Sequence, residues 1–177
     1  MKFMTFEELI KGCSVENKKI YELIQEQEAQ EADVSVEEIR EKVKLNIETM
    51  RSTIKTGMCS TEKAISNWCG DDCVKLQKRY LKQNALFGKL FEKIITYSLS
   101  TIEENLRMGK IVACPTAGSC GIVPAVLVAV SEEYNITEDE QINALITAGG
   151  IGAIISNKVQ LAGAVAGCQA ECGVAAA

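Results

Sequence analysis

The segment Pro115-Thr116-Ala117-Gly118-Ser119-Cys120-Gly121 has the residue types of a ligand-binding loop. Glycines let a ligand approach the backbone closely. Thr116 and Ser119 supply hydroxyls. An apolar helical segment behind them, Ile122 to Val130, would offer free N–H groups to a carboxylate or phosphate. The same residues also suit a plain turn between two helices, and residue types alone favour neither reading. A phosphate P-loop is excluded, because Gly-x-x-x-x-Gly-Lys-Ser/Thr is absent.

Eight cysteines are the other chemical resource, at 13, 59, 69, 73, 114, 120, 168 and 172. Cys168 and Cys172 lie four apart, as do Cys69 and Cys73, so each pair shares a face if helical. Cys114 and Cys120 flank the glycine loop. None has the Cys-x-x-Cys spacing of zinc ribbons or bacterial ferredoxins. Ligand thiols and small buried hydrophobes are both open readings. Histidine is absent. This chain therefore supplies no His general base, no Ser-His-Asp triad and no His-ligated metal. Glu171 is a lone carboxylate in the Ala/Gly-rich tail. It needs a partner, a metal or a raised pKa, unless it lies on an exposed edge.

The elements that must position these residues divide by composition near residue 110. Residues 1–110 hold 36 of the 43 charged residues and read as charged amphipathic helices. Residues 111–177 hold seven, with small residues suited to a tightly packed core, in one continuous domain with the first part. Thr5/Glu8, Ser35/Glu38 and Thr137/Glu140 have capping-box spacing and start helices. The first helix is expected to stop at Gly12 and a second to start at Ser14, with Ile20, Leu23 and Ile24 on one face. Val36, Ile39, Val43, Ile47, Met50 and Ile54 recur at steps of three and four, which predicts a long helix ending at Gly57. Asp71 and Asp72 suit the first turn of a helix running to Lys82. A further helix is expected over Ala85 to Met108, closed by Gly109. Pro124 fits only the first turn of its helix. The helix from Thr137 is expected to run to Ala148 and be interrupted by Gly149, Gly150 and Gly152, with a last helix over Val159 to Ala177. The fold class is all-α.

Charge and hydropathy narrow the partners. Net charge is −5 with no basic stripe, which disfavours nucleic acid. Gln141 to Ser156 is uncharged, but its glycines and flanking polar residues suit a buried helix better than a span of about 20 apolar residues. The first twelve residues carry no signal-peptide pattern, so a cytoplasmic protein is expected, with its cysteines as reduced thiols, a metal site or an iron–sulfur cluster rather than disulfides.

Three segments together resemble a known family. Pro115 to Ala125 resembles the hallmark of the alpha chain, or alpha domain, of iron–sulfur-dependent L-serine dehydratases. Glu103-Glu104-Asn105-Leu106-Arg107-Met108-Gly109 resembles its Glu-x-Asn-x-x-Met-Gly. Gly163-Ala164-Val165-Ala166-Gly167-Cys168-Gln169-Ala170-Glu171 resembles its Gly-Ala-x-x-Gly-Cys-Gln-x-Glu. The resemblance implies an all-helical alpha-type catalytic domain and a 4Fe-4S cluster that acts as Lewis acid toward the substrate hydroxyl. It implies that Cys168 is a cluster ligand, that Thr116, Ala117, Gly118, Ser119 and Gly121 bind L-serine, and that the product is pyruvate with ammonia. It also implies a beta chain or beta domain, which carries the family's histidine, and an oligomer.

Departures from the pattern set further expectations. The family's two other cysteine ligands lie in a Cys-Asp-Pro…Pro-Cys stretch downstream of Cys168, so the chain is expected to be truncated before them at Ala177. Cys172 stands where the family has an apolar residue and receives no ligand role. Ser66-Asn67-Trp68-Cys69-Gly70-Asp71-Asp72 replaces two glycines of Ser-Gly-x-x-Gly-Gly-Asp, and Ala162 replaces a serine. Two alternatives stand beside the dehydratase: a cysteine desulfidase on the same scaffold, and a helical fragment or paralogue that binds a partner without catalysis.

Overall fold

Thr5, Ser35 and Thr137 each cap a helix, and all three do so by the local bond their spacing predicts. Their hydroxyls accept the N–H of Glu8 at 3.2 Å, Glu38 at 3.1 Å and Glu140 at 3.3 Å. Glu8 and Glu140 reach back to the N–H of Thr5 and Thr137, completing two capping boxes. The computed structural model describes residues 5–82, 87–161, 165 and 167–177. Its helices are α1 (Phe6–Glu16), α2 (Ile20–Ala32), α3 (Val36–Cys59), α4 (Asp72–Tyr80), α5 (Lys89–Leu106), α6 (Ile122–Tyr134), α7 (Glu138–Ser156) and α8 (Cys168–Ala176), with a 3-10 turn at Ala117–Ser119. Among the described residues there is no strand, and no helix is long and apolar enough to cross a membrane.

Helix ends depart from the glycine-based expectation, and the cause is consistent. α1 runs through Gly12 and Ser14 and ends at Asn17, whose φ is 51°. Ser14 sits inside that helix with its hydroxyl on the Ile10 carbonyl, and α2 begins only at Ile20. Asp33 and Asn135 close α2 and α6 in the same left-handed conformation. Asn and Asp tolerate that region because their short polar side chains bond locally. α5 ends at Leu106, and Met108 takes the positive φ in place of Gly109. The N–H of Gly109 returns to the Glu104 carbonyl at 2.8 Å and that of Met108 to Asn105 at 3.0 Å. These two bonds make a Schellman closure. The start of α5 is likewise displaced: Gly88 is its N-cap, and the expected residues Ala85 and Leu86 lie outside the described ones. α4 stops at Tyr80, and Val159 to Leu161 are not helical.

The mid-helix glycines serve packing instead. At Gly57, α3 crosses α5 so closely that a Cβ would lie 2.8 Å from the Ser100 carbonyl carbon. The helix therefore continues to Cys59. α7 likewise continues through Gly149, Gly150 and Gly152, because Gly150 admits the side chain of Ile24 from α2.

Among the described residues, two apolar clusters hold the bundle. Leu9, Leu23, Ile24 and Ile47 pack with Ile142, Ile146 and Ile154 of α7. Met50 and Ile54 pack with Val128 of α6. Leu127 and Leu145 lie against both clusters. Each cluster draws on residues from both sides of position 110. α3 is also pinned to α7 by Arg40, which donates to Asn143 at 2.9 Å and Asp139 at 2.7 Å. The resulting scaffold sets the N-terminal end of α6 against α5 and α8, where the glycine loop lies.

Candidate active site

The chain leaves α5, runs through a non-helical stretch and reaches the cis Cys114–Pro115 peptide. Thr116 is extended, Ala117–Ser119 forms the 3-10 turn, and Gly121 is the N-cap of α6. Ser119 is 1% exposed. Its hydroxyl lies 3.0 Å from the Cys114 carbonyl, 3.4 Å from the Thr116 N–H and 3.2 Å from the Thr116 hydroxyl. Ser119 therefore holds the loop's shape from beneath. Gly121 is buried too, where a Cβ would meet Ile102 at 2.8 Å and the Ser98 carbonyl at 2.9 Å. Ala117 and Gly118 are exposed and Thr116 is half-buried. The five loop residues thus divide into an outward backbone, Thr116 to Gly118, and an inward support, Ser119 and Gly121.

Two other segments close on this loop. From α5, the Asn105 amide donates to the Ala117 carbonyl at 3.0 Å. From α8, Glu171 accepts a hydrogen bond from the Thr116 hydroxyl. Its carboxylate lies where a side chain on residue 118 would stand, since a Cβ there would be 2.8 Å from Glu171 Cδ. Glu171 is 9% exposed, so the exposed-edge reading of this residue is set aside. All three sequence segments singled out by resemblance therefore meet at one place.

The rest of the α5 segment builds a support. Glu103, 1% exposed, accepts the N–H of Asp72 at 2.7 Å and of Cys73 at 3.3 Å. A carboxylate from α5 thereby caps α4, whose own N-cap Asp71 makes no side-chain cap bond. Arg107 pairs with Glu104 at 2.6 Å and Glu103 at 3.4 Å, and donates to the carbonyls of Glu62 and Gly70. It thus ties residues 60–71 to α5. In that stretch Asn67, at a position where the resembled pattern has glycine, takes φ 62°. Asp71, at the other such position, pairs with Lys63 and Lys75 and is held down to about 2 by their hydrogen bonds.

Residues 15–177 match the serine dehydratase alpha chain family. The chain belongs to that family. It is 37% identical over 174 residues to the L-serine dehydratase alpha chain of Peptoniphilus asaccharolyticus, covering 98% of this chain and 59% of that protein. It is 34% identical over 173 residues to a probable L-serine dehydratase alpha chain of Bacillus subtilis (strain 168), covering 98% and 57%. An L-serine dehydratase of Escherichia coli (strain K12) is 42% identical over 81 residues, covering 45% of this chain and 18% of that protein. The chain thus spans under three-fifths of the length of each of these two alpha chains.

Against the family's implied cluster, the thiols divide clearly. Burial pushes Cys114 and Cys120 up to about 11. Burial, with the Glu103 carboxylate nearby, does the same to Cys73. Such thiols stay protonated at neutral pH and behave as small hydrophobes. Cys168 is exposed at the first position of α8. Among the described residues no three of Cys, Asp and Glu gather closely enough to hold a metal ion. Cys168 and Cys172 lie on the helix that carries Glu171, and Cys168 is the exposed one of the two. Asn105 is a site contact that the sequence did not single out, whereas Glu171 was expected to need a partner and finds it in Thr116. Their signals were present as a motif asparagine and a carboxylate in a nearly uncharged tail.

Proposed function

We propose that this chain supplies the substrate loop and one cluster ligand of an L-serine dehydratase, a lyase that converts L-serine to pyruvate and ammonia. The convergence of Asn105, the Thr116–Gly121 loop and Glu171, itself on the helix of Cys168, carries this reading. Cys168 would bind one iron of a 4Fe-4S cluster, with the remaining ligands coming from outside these residues. When bound, the cluster supplies a Lewis-acidic iron that weakens the substrate's C–OH bond. Elimination removes the Cα proton and the hydroxyl and leaves aminoacrylate. Its imine form is then hydrolysed to pyruvate and ammonia.

This chain's residues bind and orient. The outward backbone of Ala117 and Gly118 offers N–H groups at the start of the turn to the substrate carboxylate. Thr116 lies beside them. Ser119 and Gly121 act through loop shape, since both are buried. The partners in this reading are L-serine and a beta chain or domain, in an oligomer located in the cytoplasm.

The test is a complete enzyme: this chain, the further residues its relatives span, and a beta chain, loaded anaerobically with iron and sulfide. Pyruvate formed from L-serine well above sulfide formed from L-cysteine is the expected result. An enzyme holding about four irons that makes no pyruvate, or favours sulfide release, overturns it.

A further inference from the structure

We propose that Glu171 is a positioning residue that locks the Thr116–Gly121 loop to the helix carrying Cys168, so that the two move as one unit. The inference deepens the dehydratase reading and rests on it for its catalytic meaning. The lock itself stands on geometry. Glu171 lies three residues after Cys168, on the first turn and a little beyond, and its carboxylate reaches back to the Thr116 hydroxyl. The two residues are 55 apart in sequence. The loop is shaped to receive that carboxylate, because residue 118 is glycine and a Cβ there would strike Glu171 Cδ at 2.8 Å and Oε2 at 3.0 Å.

Among the described residues, helix α8 has little else to fix its start. Its N-cap Gly167, at φ 72°, makes no side-chain cap bond. α8 is nine residues long. Isolated helices of that length are marginal in water. Val174 is its buried apolar residue and Glu171 its buried polar one. A buried carboxylate is costly without hydrogen bonds, so the loop must stay in place for Glu171 to stay buried. The dependence is mutual. Thr116 loses its bond to the Glu171 carboxylate if α8 withdraws, and Glu171 loses its Thr116 donor if the loop opens. In the enzyme, such a link would keep a fixed distance between the backbone that binds substrate and the cysteine that binds iron.

The test is backbone hydrogen exchange on this chain, followed at Ala117–Ile122 and at Gln169–Val174. Glu171→Ala should speed exchange at least tenfold in both segments together. Gly118→Ala should do the same with Glu171 present, by displacing the carboxylate. Added to Glu171→Ala, it should change exchange less than twofold. Glu171→Gln keeps the acceptor oxygen and the size, and should retain most of the protection, whereas Thr116→Val should lose it. Faster exchange in α8 alone overturns the proposal, as does a full Gly118→Ala effect in the Glu171→Ala background. In the complete enzyme, Glu171→Ala should lower iron retention and raise KM for L-serine together, with partial rescue by Gln. Coupled exchange in a complete wild-type enzyme that binds no iron would overturn the dehydratase reading and uphold the lock.

Discussion

Two glycines inside helices should respond to the same substitution with opposite signs. Replacing glycine by alanine within a helix gains about 0.5–1 kcal/mol, because alanine loses less backbone freedom on folding. At Gly149 nothing lies within 4 Å of the new Cβ, so that gain stands alone. At Gly57 the new Cβ would stand 2.8 Å from the Ser100 carbonyl carbon and 3.0 Å from its Cα, where ordinary contact begins near 3.4 Å. The obstacle is backbone, so no side chain can swing away. The Ser100 carbonyl oxygen would be closer still, so α3 and α5 would have to separate by more than about 0.6 Å, loosening Met50 and Ile54 in the adjoining core. Overpacking of that kind costs about 1–3 kcal/mol, and loosened neighbours place this site toward the upper end. Gly57→Ala should therefore lose about 2 kcal/mol net, and Gly149→Ala should gain about 0.5–1 kcal/mol. For a chain of this size, about 1 kcal/mol moves Tm by roughly 2–4 °C. The expected shifts are about −4 to −8 °C and about +1 to +4 °C. Urea and thermal unfolding followed by circular dichroism measure both. Equal signs for the two variants, or a stabilised Gly57→Ala, would refute the reasoning.

Other expectations are as direct. Glu103→Ala removes the cap of α4 and one partner of buried Arg107, and should cost about 3–5 kcal/mol in urea unfolding; a loss below about 1 kcal/mol would mean the carboxylate is dispensable. Cys73, Cys114 and Cys120 ionise near pH 11 in the fold against 9.0 ordinarily. Stability from keeping them neutral is thus intact below pH 9 and lost as pH rises toward 11, and the urea midpoint should fall across that window, less steeply in Cys120→Ala. A flat midpoint would contradict the burial. Alkylation at neutral pH, mapped by mass spectrometry, should label the exposed Cys59 and Cys168 before the buried Cys73 and Cys120. After anaerobic reconstitution this 177-residue chain should hold no stable cluster, whereas the complete enzyme should hold about four irons and lose them on Cys168→Ala; visible absorption and iron analysis decide both.

Legibility in the sequence followed the range of the interactions. Thr5, Ser35 and Thr137 were readable because a cap is a bond between a side chain and a backbone three residues on. The Met50–Ile54 face was readable because burial imposes a period. Glycines were misread wherever a partner helix decides their use: Gly57 belongs to Ser100, and Gly150 to Ile24. The ends of α1, α5 and α6 were misplaced because Asn17, Met108 and Asn135 adopt the conformation expected of glycine. At the site, the loop was visible as a local cluster of small and hydroxyl residues. Its contacts with Asn105 and Glu171 cross 12 and 55 residues, and no local pattern encodes which carboxylate will face which hydroxyl.

The borrowed cap of α4 has a consequence for the order in which the chain acquires structure. α4 is nine residues long, and its first two N–H groups are satisfied by a carboxylate 30 and 31 positions later. During synthesis, α4 emerges well before Glu103 exists. Until α5 arrives, its start faces water without a partner, and so short a segment has little intrinsic tendency to stay helical. α4 and the loop before it therefore await α5, whereas α1 and α3 carry their own caps from the moment they appear. The same Glu103–Arg107 turn that ends next to the glycine loop thus also sets the time at which the middle of the protein takes its form.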